Sequence, residues 1–410
     1  MRHRDALRRG PGRLRAQWAR GHGPGHGCRQ AQGHRLRVPA LHVGGSPRRH
    51  RLRTRGLQVR PGLEAHRHAL SQERLLLAGV RAQLPQGLPP RDPARPREEL
   101  RARGVPFVGL DFGGTAIKGG AVGSGGEIVA ERSIPSALER GATDVMDRAA
   151  ELARSLGASE GGALGVGCAG IFDRARGVLL ESPNLSQLAG TCLTGQLGTR
   201  LDIDPAHVYL ENDANVAAYG EQWLGAARDI ADFMILTLGT GVGGGIVLGG
   251  SLFTGPAGRA GEIGHVVIEP DGPLCGCGSR GCLETLASAT AARRRASERG
   301  LPAEDPGNLE LLAETARNHA GAERELLFDI GRDLGHGLAY PANLLDLTCF
   351  VFAGGFAATL DLLEPGIRAG ASERTFGERD LTLLPATLGS SAGWIGAARL
   401  ALDAGATQVG

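Results

Sequence analysis

The chain has 410 residues, room for two or three domains at about 150 residues each, and its net charge of +3 hides two opposed parts. Residues 1–105 carry 24 Arg against 6 acidic residues, whereas residues 106–410 carry 22 basic against 37 acidic residues. No run of 18 apolar residues occurs, which argues against a membrane-spanning helix, and the basic N-terminus lacks the apolar stretch of a secretory signal.

Residues 1–105 contain no Ile, Phe or Tyr, and eight of the twelve histidines fall there among Gly, Pro and Arg. So little β-branched or aromatic material cannot build a core. The leading expectation is a disordered extension, or translated sequence upstream of the true start. A basic arm that attracts nucleic-acid phosphates is a second reading. A helix-turn-helix module is a third, but no pair of compact amphipathic helices supports it.

From Pro106 the texture changes. Phe107–Leu110 reads as an apolar strand ending at Asp111, and Ile117–Val122 and Glu127–Ser133 as two strands joined by a glycine-rich turn. Thr143–Leu156 reads as an amphipathic helix, with Thr143 as cap, Val145, Ala149, Leu152 and Leu156 as its apolar stripe, and Gly157 as its stop. Further apolar strands are expected at Ala163–Cys168, Val208–Leu210, Phe233–Leu238 and Thr348–Phe352, with helices at Asn215–Leu224 and Ala357–Arg368. This alternation predicts an α/β protein. The strand, glycine turn and strand near residues 107–133 recur near 233–254, which suggests an internal duplication.

Five motifs carry chemistry. Asp111-Phe112-Gly113-Gly114-Thr115 delivers a carboxylate and two glycines to a turn where backbone can approach a phosphate and where Asp111 can hold Mg²⁺ through water. Alone it is weak, because most glycine turns in so Gly-rich a chain are plain hairpins. Leu238-Gly239-Thr240-Gly241 repeats the design after another apolar strand, and two such turns can grip a polyphosphate from opposite sides. Glu211-Asn212-Asp213-Ala214-Asn215 follows a strand. There Asp213 is either an N-cap or a general base for an attacking hydroxyl. His265 with Cys275, Cys277 and Cys282 makes a closed three-thiolate, one-imidazole set, the composition of a structural zinc site. Val351-Phe352-Ala353-Gly354-Gly355 is the weakest of the five; its glycines could admit an adenosine face close to the backbone.

Taken together, residues 106–405 resemble the ROK sugar kinases, the family that unites bacterial glucokinases with related repressors. The resemblance rests on Asp111–Thr115, Ser182-Pro183-Asn184-Leu185, Glu211–Asn215, residues 238–245, and the run from Glu262-Ile263-Gly264-His265 through the three cysteines to Glu284. It implies the actin-like, or ribonuclease H-like, two-domain fold with an interdomain active-site cleft. The domains would be residues 106–217 and 218–410, after the extension 1–105, with the last helix packing back on the smaller domain. Asp213 would be the catalytic base. Asn184, Asn212, Asp213, Glu262, His265 and Glu284 would hold the sugar. Asp111, Gly113, Gly114, Thr115, Thr240, Gly241, Gly354 and Gly355 would hold ATP and Mg²⁺. His265 would bind zinc through one ring nitrogen and face the sugar with the other.

The expected activity is transfer of the ATP γ-phosphate to the 6-hydroxyl of a hexose, glucose first, in a cytoplasmic homodimer or homotetramer. N-acetylmannosamine, N-acetylglucosamine, allose or fructose as acceptor, polyphosphate as donor, and a sugar-responsive repressor are the alternatives. An intact Asp213 and Asp111–Thr115 turn favour the kinase, because a pure sensor needs neither. One departure is Ala353, which stands where the family's adenosine turn often has the first of three glycines. The other is the N-terminal extension, which has the length of a repressor's DNA-binding module but not its apolar patterning.

Overall fold

The computed structural model describes residues 106–159, 162–301 and 308–403, so the readings of residues 1–105 lie outside the described residues. In chain order the first half gives β1 (Phe107–Phe112), β2 (Ala116–Val122), β3 (Ile128–Pro135), β4 (Leu164–Cys168), β5 (Ile171–Asp173), β6 (Val178–Glu181) and β7 (Val208–Asn212). Five of these form one sheet in the order β3-β2-β1-β4-β7, and β5 and β6 form a separate two-stranded ribbon. The second half gives β8 (Phe233–Leu238), β9 (Val242–Leu248), β10 (Ser251–Leu252), β11 (Cys349–Ala353) and β12 (Thr382–Pro385), in the order β10-β9-β8-β11-β12.

Both sheets share one topology. Three strands run antiparallel through tight turns, and two more add in parallel on the far side of the first strand. The duplication suggested by the two glycine turns is therefore present as fold. Burial follows the connectivity: β4, with helices on both sides of its sheet, is buried along its whole length, while the edge strand β3 is mostly exposed.

The helices are α1 (Ala142–Ser155), α2 (Leu193–Leu201), α3 (Asp213–Leu224), α4 (Leu283–Ala287), α5 (Ala289–Glu298), α6 (Asn308–Asn318), α7 (Ala322–Leu345), α8 (Leu360–Arg374) and α9 (Ala392–Asp403). Val145, Met146 and Ala149 of α1 and Leu193 and Leu197 of α2 pack on Leu110, Ile117, Leu164 and Val166 of the first sheet. Leu283, Leu327, Ile330, Leu334 and Leu363 of the later helices cover Met234, Leu236, Phe350 and Phe352 of the second.

Besides α3, which starts at Asp213 rather than at Asn215, two helix starts differ from expectation. Thr143 is not a cap: α1 begins one residue earlier, after Gly141 at φ 88°, because the chain arrives through a 3-10 turn over Leu138–Arg140. The helix expected over Ala357–Arg368 starts as a 3-10 turn at Gly355–Thr359 and continues as α8 to Arg374.

The two sheets are joined through α3 and α9, which pack on each other. Helix α9 returns to the first sheet at very short range. A Cβ on Gly109 would lie 1.9 Å from the Trp394 carbonyl oxygen, and one on Gly165 would lie 1.7 Å from that of Ala397. Only glycine permits that approach. The fully buried Glu221 of α3 accepts hydrogen bonds from the amides of Ala226 (2.7 Å), Thr387 (3.1 Å) and Leu388 (2.9 Å), fixing the segment that leads into α9. A buried carboxylate with that many donors is satisfied without a counter-ion. Among the described residues, no helix is long and apolar enough to cross a membrane.

Candidate active site

The C-terminal ends of three parallel strands assemble the first half of the site. Registers Asp111↔Gly167↔Glu211 and Phe112↔Cys168↔Asn212 set the turn after β1 beside the motif after β7. The first turn is closed by Gly113 N donating to Ala116 O at 3.0 Å. It is pinned by the buried Ser136, whose hydroxyl donates to Gly113 O at 2.6 Å and whose amide donates to Thr115 O at 3.0 Å. Gly114 and Thr115 are exposed. Asn184 lies against this turn, since a Cβ on Gly114 would be 3.2 Å from the Asn184 carbonyl oxygen.

At the end of β7 it is Asn212, rather than Asp213, that caps α3. Its Oδ1 accepts from Ala214 N at 2.9 Å and from Asn215 N at 3.4 Å, and Asp213 becomes the first helical residue. The capping role considered for Asp213 is thereby taken by its neighbour. Asp213 is open to solvent, yet enough protein surrounds it at longer range to desolvate its carboxylate. That desolvation raises its pKa, while hydrogen bonds from the Ala214 amide, its own amide and the Asn212 side chain pull the other way. Asp111 is pushed up to about 6, first by burial and then by the Asp213 charge, with Lys118 opposing. Two carboxylates with so little counter-charge suit a divalent cation.

The second half of the site grows from the second sheet. Gly239 N donates to Gly241 O at 3.0 Å, closing the turn after β8, and Thr290 Oγ1 donates to Thr240 O at 2.8 Å. Gly354 meets this turn directly: its φ is 89°, and a Cβ there would lie 2.4 Å from Leu238 O. Glu284, in the first turn of α4, accepts from Val242 N at 3.1 Å, and its other oxygen stands 4.0 Å from Cys275 Sγ. Glu262 is exposed at the start of the short turn Ile263–His265. Among the described residues, no hydrogen bond or ion pair joins Glu262 to Asp213 or Glu284.

The ligand atoms of His265, Cys275, Cys277 and Cys282 lie within 4.8 Å of one another. Cys275 Sγ is 3.6 Å from His265 Nδ1, and Cys277 Sγ is 3.7 Å from Cys282 Sγ. Ligands bound tetrahedrally to one zinc ion would stand about 3.6 Å (S to N) and about 3.8 Å (S to S) apart, given bonds of about 2.3 and 2.0–2.1 Å. The cluster thus has the dimensions of a metal site, and its sulfurs are not paired as disulfides. The thiols titrate apart: hydrogen bonding from the Ser279 amide brings Cys277 down to about 7, and desolvation pushes Cys282 up to about 12. All three sulfurs can ionise together only with a cation among them. With Nδ1 facing the sulfurs, His265 Nε2 is left for another partner.

One residue of the site has no sequence signal. Arg174, in the turn between β5 and β6, makes a two-pronged ion pair with the buried Glu211, both bonds at 2.6 Å. The partners are 37 positions apart, and nothing local marks Arg174 as different from the many other arginines.

The residues of this site lie within a stretch, 107–404, that matches the ROK family model. The glucokinase of Thermotoga maritima is 43% identical over 189 residues, covering 46% of this chain but only 59% of that protein. The glucokinase of Streptomyces coelicolor is 33% identical over 314 residues, covering 72% of this chain and 97% of that protein. A crystal structure of a ROK family glucokinase from Streptomyces griseus, in complex with glucose and AMPPNP, superposes with a TM-score of 0.58 at 33% identity, covering 72% of this chain and 98% of that one. The repeated sheets are those of the actin-like ATPase fold. On this match and on the architecture that carries it, the chain belongs to the ROK family.

Proposed function

We propose that this chain is an ATP-dependent hexose kinase acting on the 6-hydroxyl of glucose. The observation that supports the reading is the division of labour at the end of β7: Asn212 caps α3, which leaves the Asp213 carboxylate exposed at the helix start and spared from capping. In this reading residues 106–217 and 218–410 are the two domains of the cleft, and the active molecule is a homodimer or homotetramer.

Phosphoryl transfer asks the protein mainly for positioning and charge stabilisation. Asp213 accepts the proton of the sugar hydroxyl as its oxygen attacks the γ-phosphorus, and the bond to the β-phosphate oxygen breaks to release ADP. The exposed turns Gly113–Thr115 and Gly239–Gly241 offer backbone to the phosphates, and Gly354 and Gly355 flank the second turn on the nucleoside side. Asp111 would hold magnesium, which would supply neutralisation of phosphate charge. Asn184, Asn212, Glu262, His265 and Glu284 hold the sugar hydroxyls. Zinc, held by His265, Cys275, Cys277 and Cys282, would supply order rather than Lewis acidity, since four protein ligands would leave no open position. Nδ1 of His265 is on the sulfur side, so a metal held there would fix the ring and leave Nε2 for a sugar hydroxyl.

A coupled assay over a panel of hexoses and their N-acetylamino derivatives, with ATP and polyphosphate as donors, tests the reading. Glucose with ATP is expected to give the highest kcat/KM. Absence of turnover with every sugar, together with sugar-dependent binding to duplex DNA, would make the chain a regulator instead.

A further inference from the structure

Arg174 reaches three segments at once. Its guanidinium holds both oxygens of Glu211 at 2.6 Å, and Nη2 also donates to the carbonyl of Gly258 at 3.2 Å. Arg174 stands in the ribbon turn whose second strand, β6, runs on to Asn184. Glu211 is the penultimate residue of β7, one before Asn212; its Oε1 also accepts from Asn212 N at 2.8 Å and from Asn215 Nδ2 at 2.9 Å. Gly258 belongs to the loop that leaves β10 of the second sheet and leads into Glu262. The side chain therefore crosses from the first sheet's half of the molecule to the second's.

The contact is close as well as polar. A Cβ on Gly258 would fall 1.9 Å from Arg174 Nε, and the residue has φ +68°, so a side chain at position 258 is excluded both by strain and by the guanidinium. Glu211 keeps only 6% of its side-chain surface exposed, against 33% for Arg174. A planar fork on a buried carboxylate fixes direction as well as distance.

We propose that Arg174 is a positioning residue for the sugar half of the site: through Glu211 and the Gly258 carbonyl it sets Asn212 and Asp213 in register with the loop carrying Glu262. This rests on the hexose-kinase reading, and it adds a residue that does not itself touch the sugar. No element of the nucleotide half, Thr240, Gly241 or Gly354, is attached to Arg174 by any of these contacts. Disturbing it is therefore predicted to act on one substrate only.

Removing Arg174 alone strands a buried carboxylate, which by itself destabilises a fold. The decisive variant therefore removes both charges, Arg174→Gln with Glu211→Gln, and retains an oxygen to accept from Asn212 N and Asn215 Nδ2. The expected result is a hexose KM raised about ten-fold or more with the ATP KM within about two-fold of wild type, at a nearly unchanged melting temperature. Arg174→Lys keeps the charge but cannot fork, and its hexose KM is expected between the two. A double variant with the wild-type hexose KM overturns the proposal. So does a parallel rise of both KM values with a falling melting temperature, which would mean a merely structural role. A wild-type chain that phosphorylates no hexose instead removes the hexose-kinase reading, and this inference with it.

Discussion

Glu284 accepts a hydrogen bond from the backbone N–H of Val242 at 3.1 Å, and its other oxygen lies 4.0 Å from Cys275 Sγ. One carboxylate thus touches both the residue that follows the second glycine turn and the Cys/His cluster. Disorder in the cluster would reach the turn through a single side chain, which joins the metal question to the catalytic one.

One equivalent of zinc is expected to copurify, and Cys277→Ser is expected to lower metal content and sugar affinity together. Zinc contributes about 10–16 kcal/mol of apparent binding energy in small zinc peptides. Here the apolar core under α4–α8 draws most of its side chains from outside the Cys/His loop, so partial folding without metal is expected. Elemental analysis that finds no zinc in freshly prepared active protein would refute the assignment.

Asp213→Asn is expected to keep the fold and sugar binding while lowering kcat by on the order of 10²-fold or more. The fold should survive because the α3 cap is Asn212. Near wild-type kcat in this variant, measured beside its circular dichroism and a sugar titration, would take the base away from Asp213.

For Asp111 the direction of its shift gives a pH dependence. A carboxyl raised from 3.8 to about 6 on folding contributes stability that is fully present below its unfolded pKa and is lost as pH rises through about 6. Asp111→Asn cannot ionise. In magnesium-free buffer its stability relative to wild type is expected to improve between pH 4 and pH 8, by on the order of 2 kcal/mol. Activity should fall in this variant. Urea titrations at the two pH values check the sign; a relative gain at the acid end would contradict it.

A chain starting near Arg103 is expected to phosphorylate sugar as well as the full-length protein. The family match begins at residue 107, and residues 1–105 lack the apolar side chains that would offset about 1–2 kcal/mol of backbone entropy per ordered residue. Lost activity on truncation, without any DNA binding by the longer chain, would show that the segment contributes to the enzyme. Salt-sensitive, sugar-modulated binding to a specific duplex by the longer chain alone would show a regulatory arm.

Much of this protein was decided by short-range chemistry and was legible on that account. Apolar runs bounded by glycine marked β1, β2, β4, β8 and β11 to within a few residues, because burial on two faces demands such runs. The crowding of Cys275, Cys277 and Cys282 into eight positions pointed to a ligand cluster, since so short a loop readily turns its sulfurs onto one point. Tertiary structure alone decided what depends on distance along the chain. Asn212 rather than Asp213 became the cap because the last residue of β7 keeps extended backbone, with its side chain turned toward the free amides of α3. Ser136 reached Gly113 across 23 positions, and Arg174 chose Glu211 across 37. An arginine or a serine has the same local preferences wherever it stands; which carboxylate or carbonyl it meets is set only when the sheets close around it.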